Sequence, residues 1–167
     1  MPFSKPLYST LLLWFGFMLA VSGWAQDKRT EPFSAELVKR AEAGDAKAQC
    51  SLGFAYSSGK EVTRDYKEAL KWYTKAAEQG DAESQVGVGT FYFFGLVGTP
   101  DYKEAVKWYK KAAEQGDAGG QFFLSCCYFK GEGVTRDNRE ASKWLIKSAE
   151  QGNQSAKDMM LDLLKSE

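Results

Sequence analysis

A stretch of 17 residues that recurs along the chain constrains the fold more than any other feature of the sequence. It runs from Tyr66 to Ala82 as YKEALKWYTKAAEQGDA, returns almost unchanged from Tyr102 to Ala118, and has a weaker copy from Asn138 to Gln154. Successive copies start 36 residues apart. Repetition at a period of about 20 to 50 residues is typical of a solenoid, in which each unit buries its apolar face only against its neighbours.

Each unit is predicted to form a helix, a turn and a second helix. The first helix carries Gln, Leu or Val, Gly or Ser, and Tyr at offsets of 0, 3, 4 and 7, starting at Gln49, Gln85 and Gln121, which places them on one helical face. The second helix repeats small and aromatic residues at the same offsets, so small residues are expected to face large rings. These patterns predict an all-α fold, an α/α superhelix (solenoid) of helix-turn-helix repeats with a 36-residue period.

Glycine and aspartate mark where helices end and begin. Gly80 and its counterparts stand where a helix is expected to stop, because glycine enters the left-handed conformation without a Cβ clash. The next residue, Asp81 in this unit, can accept hydrogen bonds from the free amides of a new helix. An aspartate followed three residues later by a glutamate, as in Asp65 and Glu68, predicts a capping box at the start of each second helix.

These signals predict how the chain is divided. The expected segments are a signal peptide at residues 1–25, a linker at 26–33 and a repeat domain at 34–167. Within the domain we expect a capping half-repeat at 34–44, repeats at 45–80, 81–116 and 117–152, and a C-terminal capping helix at 153–165. In that last helix Leu161 and Leu164 replace the small residue and the tyrosine of the pattern, as expected where no further helix has to approach.

The N-terminal residues are typical of an export signal. Lys5 precedes an unbroken apolar run from Leu11 to Val21, and the small residues Gly23 and Ala25 suit signal peptidase, so cleavage is expected before Gln26. The alternative is an uncleaved membrane anchor, but a run of 11 residues is short for a span of about 20. We therefore expect an exported protein, periplasmic or secreted, without a stable membrane span after cleavage.

Composition excludes several classes of function. The 22 basic residues are matched by 22 acidic ones, so no net charge favours nucleic acid as a partner. Histidine is absent from the sequence, which removes the commonest general base and the commonest metal ligand. The cysteine spacing does not suit zinc, and no predicted strand leads into a glycine-rich loop. We expect no catalytic residue, cofactor or metal site.

Three cysteines cannot all pair within one chain. In the repeat register Cys50, Cys126 and Cys127 stand where other units carry residues such as valine, phenylalanine and alanine. They are therefore predicted to be free thiols, mostly buried. A bond between the adjacent Cys126 and Cys127 is the alternative, and it would be strained.

The repeated pattern resembles a known family. The sequence A-x-x-G-[DN]-x-x-[A/S]-Q-x-x-[L/V]-G-x-x-Y-x-x-G, followed by V-x-x-D-x-x-[K/R]-E-A-x-K-W-[Y/L]-x-K-[A/S]-A-E-Q-G, is similar to the Sel-1-like repeat, a relative of the tetratricopeptide repeat. The resemblance covers about Ala41 to Leu164, as three full copies with flanking halves. It implies a superhelical scaffold for protein complexes, often in exported or envelope-associated bacterial proteins.

Two departures from the family pattern bear on function. The turn between the helices usually reads G-x-G-V, but Glu61 replaces a glycine in the first unit, and the second runs from Gly95 to Gly98 as GLVG. A secreted branch of the family with proposed β-lactam-related activity carries a pair of cysteines in each repeat. This chain lacks those pairs, which argues against that activity here.

Differences between the copies indicate where a partner binds. On the first helices, the face opposite the Gln-Leu-Gly-Tyr pattern is small or polar except at a few bulky positions. We predict that Phe54, Phe94, Phe123 and Lys130 line a groove for a partner on the concave side, while packing between repeats is the alternative role for some of them. The repeated tryptophans Trp72, Trp108 and Trp144 are expected to pack between neighbouring helices.

The sequence supports one leading function and two alternatives. The leading hypothesis is a non-enzymatic exported scaffold that binds a protein or peptide through its concave face. The first alternative is a β-lactamase-like or cell-wall-related enzyme of the same repeat family. The second is a membrane-tethered regulator with an uncleaved N-terminus.

Overall fold

The computed structural model describes residues 31–165, in which all regular secondary structure is helical. The expected signal peptide, and most of the expected linker, lie outside the described residues. No helix within 31–165 is long and apolar enough to cross a membrane. In chain order the helices are α1 (Ala35–Glu42), α2 (Ala46–Ser58), α3 (Tyr66–Glu78), α4 (Ala82–Phe94), α5 (Tyr102–Glu114), α6 (Ala118–Lys130), α7 (Asn138–Glu150) and α8 (Gln154–Lys165).

The helices stack as antiparallel pairs. Three complete pairs, α2 with α3, α4 with α5 and α6 with α7, follow the single helix α1 and precede α8. Each pair packs on the next through α3 with α4 and α5 with α6, and α8 packs on α7. The first helices of consecutive pairs also touch, α2 with α4 and α4 with α6. This confirms the predicted all-α superhelix with a 36-residue period.

The helix ends form where the sequence predicts them. Ser34 Oγ accepts from the amide of Leu37 at 3.1 Å and caps α1. Gly80 has φ +95° after α3, and Asp81 Oδ1 then accepts from the amide of Ser84 at 2.7 Å to cap α4. One helix therefore stops and the next starts within a few residues.

The capping boxes are only half formed, which corrects the prediction. Asp65 Oδ1 accepts from the amide of Glu68 at 3.1 Å, as expected of a cap. The amide of Asp65 instead donates to the carbonyl of Tyr56 at 3.0 Å, so it is not available to the glutamate. The Glu68 carboxylate pairs with Lys71 Nζ at 3.1 Å. The tyrosine carbonyl thus ties the end of each first helix to the start of the second.

Close approach within each pair depends on a small residue. Tyr109 of α5 is 0 % exposed and its ring lies against Gly89 of α4, where an added Cβ would stand 2.7 Å from ring carbons. Tyr73 has the same relation to Gly53. The third pair carries serine and leucine in these two positions, at Ser125 and Leu145, and both are buried. The rings fill the space that the small residues leave, as predicted.

A buried glutamine joins three helices in each unit. Gln85 is 4 % exposed, donates to the carbonyl of Ala77 at the end of α3 at 3.1 Å, and accepts from Gln115, just beyond α5, at 2.8 Å. The arrangement recurs at Gln49, which pairs with Ala41 and Gln79, and at Gln121, which pairs with Ala113 and Gln151. The carbonyl also accepts from a backbone amide, that of Gly80 at 3.1 Å in the case of Ala77, so the glutamine adds a second hydrogen bond at the helix end.

The tryptophans pack to different degrees. Trp72 is 7 % exposed and lies among apolar residues of α1 and α2. Trp108 and Trp144 are half-buried, and the ammonium groups of Lys111 and Lys147 lie 4.0 and 4.5 Å from their ring centroids. Packing between helices therefore accounts for Trp72 and for part of the surface of the other two.

The structure shows what Glu61 does in place of the glycine of the family turn. Gly133 has φ +75°, and a Cβ there would stand 2.1 Å from the carbonyl oxygen of Tyr102, so only glycine fits. Glu61 occupies the same position in the first unit with φ +77°, which is unfavourable for a residue with a side chain. Its carboxylate accepts from the amide of Phe33 at 2.6 Å and holds the segment before α1 against this turn.

The contact between Tyr109 and Gly89 can be tested by giving these two positions the serine and leucine that the third unit carries. Gly89→Ser alone is expected to destabilise the protein by about 1–3 kcal/mol, because it overpacks the ring. Adding Tyr109→Leu should recover at least about 1 kcal/mol relative to the sum of the single changes. Urea unfolding of the wild type and the three variants measures this, and strict additivity would contradict the contact.

Gln85→Leu is expected to lower the free energy of unfolding by about 1–3 kcal/mol, because it removes two hydrogen bonds, one to the Ala77 carbonyl and one from the Gln115 amide. Gln154→Leu is the matched control, since Gln154 is exposed and bonds only locally to Asp158 at 2.8 Å. The control should change stability by less than about 0.5 kcal/mol. Equal effects of the two changes in urea unfolding would show that the buried amide of Gln85 does not contribute to the free energy of unfolding.

Candidate partner-binding surface

One face of each first helix differs from unit to unit, and we call these residues the variable stripe. Sequence spacing places them opposite the repeated Gln-Leu-Gly-Tyr face, but the structure brings some of them against second helices. Thr90 Oγ1 accepts from the hydroxyl of Tyr109 on α5 at 3.3 Å, and Gly87 is buried against the ring of Tyr73 on α3. The stripe comprises Ser51, Phe54 and Ser58 on α2, Gly87, Thr90 and Phe94 on α4, and Gly119, Phe123, Cys126 and Lys130 on α6.

The four predicted groove residues are all partly accessible. Phe54, Phe94 and Phe123 are half-buried, and Lys130 is exposed at the end of α6. Phe54 packs against a buried cluster that includes Cys50 and the residues around Tyr73. Packing therefore accounts for part of the ring of Phe54, and the other part remains accessible.

Two of the predicted residues are joined by a chain of aromatic rings. The ring centroids of Phe94 and Phe93 are 4.9 Å apart, and Phe93 lies 6.4 Å from Tyr109. Tyr109 in turn stacks on Phe123 at 5.1 Å with an interplanar angle of 14°. The structure thus brings Phe94 of α4 and Phe123 of α6 into one aromatic cluster built on a buried tyrosine.

Sequence reasoning missed two phenylalanines of this cluster, Phe93 and Phe122. Phe93 also lies 5.0 Å from Tyr102, and Phe123 lies 5.5 Å from Phe122. Two consecutive phenylalanines on each of two neighbouring first helices were the available signal. Helical periodicity assigns the members of such a doublet to different faces, so it does not reveal that their rings meet.

The buried tyrosine is fixed in its neutral form. Burial raises the pKa of Tyr109 well above its usual value, and its hydroxyl donates to Thr90 Oγ1 at 3.3 Å. Burial also raises the pKa of Tyr73. These phenols support neighbouring rings and carry no charge in the working pH range.

The three cysteines are free, as predicted, with Cys50 and Cys127 buried and Cys126 half-buried in the variable stripe. Burial raises the pKa of Cys126 to about 11, against the opposing effect of the Lys130 charge, and raises that of Cys127 to about 12. The pKa of Cys50 is raised for the same reason. At neutral pH the thiols are protonated, which makes them weak nucleophiles.

A second surface feature follows from the unusual turn of the second unit. Leu96 and Val97 are 36 and 37 % exposed and border a shallow cavity of about 580 Å³. The start of α3 forms the opposite side, with Arg64 and Lys67 among the lining residues. Within residues 31–165, no group of three or more histidine, cysteine, aspartate or glutamate side chains is placed to hold a metal ion.

The raised thiol pKa values predict slow labelling of the native protein. At pH 8 the thiolate fraction of Cys126 is about 100-fold lower at a pKa near 11 than at its ordinary value of 9.0. Its reaction with Ellman's reagent should be slowed about tenfold or more relative to the protein in urea, because the greater nucleophilicity of a more basic thiolate offsets part of the lower thiolate fraction. The native rate should rise with pH up to about 11, and equal native and unfolded rates at pH 8 would contradict this environment.

Comparison with known proteins agrees with this architecture. A family model described as the Sel1 repeat matches residues 46–81, 82–117 and 118–153. The crystal structure of a protective antigen from uropathogenic Escherichia coli, described as an SLR fold, is 42 % identical, with a TM-score of 0.69 over 72 % of this chain and 26 % of that one. A Sel1 repeat protein from Oxalobacter formigenes is 39 % identical, with a TM-score of 0.68 over 72 % of this chain and 48 % of that one.

A curated relative matches over a shorter stretch. The secretory immunoglobulin A-binding protein EsiB of Escherichia coli is 44 % identical over 41 residues, which are 25 % of this chain and 8 % of EsiB. The chain thus spans less than half the length of each of these three relatives. Three tandem family matches and the shared solenoid fold show that this chain belongs to the Sel1 repeat family.

Proposed function

We propose that this protein is an exported, non-enzymatic scaffold that binds a protein or peptide partner through the variable stripe on the concave side of the superhelix. One observation carries the proposal: phenylalanine occupies positions of the variable stripe at which another unit has a small residue. Phe94 stands in the position of Ser58, and Phe123 in that of Ser51. Since the first unit folds with serine there, the fold does not require phenylalanine.

The packing of the helices supports the concave placement. In a superhelix the elements on the inner side are the closest to their counterparts in the next unit. Here the first helices touch each other, α2 with α4 and α4 with α6, and successive second helices make no contact of comparable extent. The variable stripe belongs to these first helices, and concave solenoid surfaces suit extended partners.

The chemistry of the stripe favours a partner with apolar side chains. Half-buried rings held by a buried neighbour lose little side-chain freedom on binding, which is why aromatic residues dominate binding energy at protein interfaces. Phe94 and Phe123 offer such faces on neighbouring helices, and Lys130 beyond them can pair with a carboxylate. Lys130 Nζ is 3.8 Å from Glu132 Oε2, which is beyond hydrogen-bond distance, so a partner carboxylate could bind the ammonium group alongside this pair.

Binding fits the titratable groups better than catalysis does. An activated thiol or phenol has a lowered pKa, whereas burial raises the pKa of Cys126 to about 11 and also raises that of Tyr109. The relative EsiB is an immunoglobulin A-binding protein, which supports a protein partner. Turnover of a chromogenic β-lactam by the purified protein would favour the enzymatic alternative.

Export is part of the proposal and rests on the N-terminal pattern. Residues 1–25 would serve as the signal peptide and 26–33 as a linker to the repeat domain. The half-repeat at 34–44 would close the leading end of the array, consistent with Leu37 and Ala41 being 1 % exposed. The mass of the exported chain tests cleavage before Gln26.

The stripe is tested by replacing Phe94 and Phe123 with serine, the residue that the first unit carries in both positions. Crosslinked capture from whole cells, read by mass spectrometry, should lose the partner of the wild-type protein. Because Phe123 stacks on Tyr109, the double variant should lose about 1–3 kcal/mol of stability and yet remain folded.

Ile146→Thr is the matched control, since Ile146 is 44 % exposed on α7 and the first unit carries threonine in its position. The control should capture the partner as the wild type does. Circular dichroism and urea unfolding establish that both variants are folded. Equal capture by the folded double variant would rule out the variable stripe as the binding surface.

A further inference from the structure

The turn of each unit lies near the start of the second helix of the unit before it. In the third unit, Gly133 packs on the start of α5, where an added Cβ would stand 2.1 Å from the carbonyl oxygen of Tyr102. In the first unit, Glu61 accepts from the amide of Phe33 at 2.6 Å, in the segment that takes this place before α1. The turn and the preceding segment are therefore in direct contact at both of these junctions.

The junction between the first and second units contains a cavity instead. Its turn carries Val97 where the other two units have Glu61 and Gly133, whose φ angles are +77° and +75°. A β-branched residue avoids such angles, and the positive φ falls on the next residue, Gly98, at +132°. The shallow cavity of about 580 Å³ lies between this turn and the start of α3. Its volume is in the range of ligand sites, about 300–1,000 Å³.

The two sides of the cavity differ in chemistry. Leu96 and Val97 form the apolar side, at positions where the third unit has glutamate and glycine, and they are 36 and 37 % exposed. Arg64 and Lys67 lie on the opposite side, with Asp65 between them in the sequence. Two basic residues and one acidic residue give the lining a net positive charge. The lining therefore favours a ligand that is both apolar and negatively charged.

Local contacts orient Arg64 and leave its charge available. Its guanidinium donates to the carbonyl of Ser58 at 3.0 Å and lies 5.9 Å from the ring centroid of Tyr66, another lining residue. The neighbouring carboxylates are engaged elsewhere. Asp65 Oδ1 accepts from the amides of Lys67 and Glu68 at 2.9 and 3.1 Å, and the Glu68 carboxylate pairs with Lys71 Nζ at 3.1 Å.

We propose that this cavity is a second binding site, which takes a peptide segment of a protein partner with a carboxylate side chain next to an apolar one. The carboxylate pairs with Arg64 and Lys67 through charge-assisted hydrogen bonds, and the apolar side chain covers Leu96 and Val97. A shallow cavity suits an extended segment, because it does not enclose a small molecule on all sides. The site shares no residue with the variable stripe, so its occupation does not depend on the proposed function.

Fluorescence anisotropy of a dye-labelled octapeptide of alternating leucine and aspartate tests the site on the purified protein. We expect saturable binding that weakens about tenfold or more when Arg64→Glu and Lys67→Glu are combined, because both ion pairs become repulsive. Leu96→Ser with Val97→Ser should weaken binding by a similar factor, because it removes apolar surface. An octapeptide of alternating serine and aspartate should bind the wild type about tenfold more weakly for the same reason.

Arg136→Glu with Arg139→Glu is the matched control, because these residues take the positions of Arg64 and Lys67 in the third unit and the change in net charge is identical. The control should bind the leucine-aspartate peptide as the wild type does. An equal loss in the control, or equal binding of the two peptides, would show general charge attraction and overturn the proposal. Absence of saturable binding up to about 1 mM peptide would also overturn it.

The variable stripe is separated from this site by its own variant. Phe94→Ser with Phe123→Ser should bind the leucine-aspartate peptide as the wild type does. Loss of binding in that variant, with binding kept by Leu96→Ser with Val97→Ser, would assign the peptide to the variable stripe and overturn the second site. Circular dichroism establishes that each variant is folded, and the serine changes at Leu96 and Val97 lie in an exposed turn outside the helices.

Discussion

The contact of a buried tyrosine ring with a glycine on the paired helix is the interaction on which the rest of the structure depends. Gly89 has no Cβ, so the ring of Tyr109 approaches to a distance that any other residue would block. The ring in turn supports Phe93 and Phe123, which belong to neighbouring first helices. A single buried residue thus holds a pair together and positions the surface where units meet.

The polar counterpart of this contact is the buried glutamine. An array of helices buries helix ends as it grows, and each buried carbonyl needs a donor. Gln85 donates a hydrogen bond to the Ala77 carbonyl at the end of α3 and accepts one from the Gln115 amide beyond α5. The same side chain therefore joins neighbouring units. The glutamine hydrogen bonds recur in all three units and the tyrosine–glycine contact in the first two, so a short sequence pattern specifies an extended array.

Most of the fold could be predicted from the sequence because each of its determinants is local. The glycines after the helices, the aspartate caps and the period fix the helix boundaries, and the structure follows them. The prediction of a complete capping box was wrong because the amide of Asp65 donates to the carbonyl of Tyr56. That contact forms only once the turn has closed. The glutamine hydrogen bonds were missed because they join helices from different units. Candidate site residues were named from differences between copies, but the contact between Phe93 and Tyr109 depends on how units stack.

In a repeat protein, some residues of each unit pack the array together and recur in every unit, whereas others differ from unit to unit. Here the second helix covers the constant face of each first helix, whereas the variable stripe is partly packed against tyrosines of second helices and partly accessible. Site-specific photocrosslinking in cells tests the central claim most directly, with a photoreactive amino acid at Thr90, in the middle of the stripe, or at Ile146 outside it. The account predicts a covalent partner adduct from position 90 and none from position 146. An adduct from position 146 with none from position 90 would contradict it.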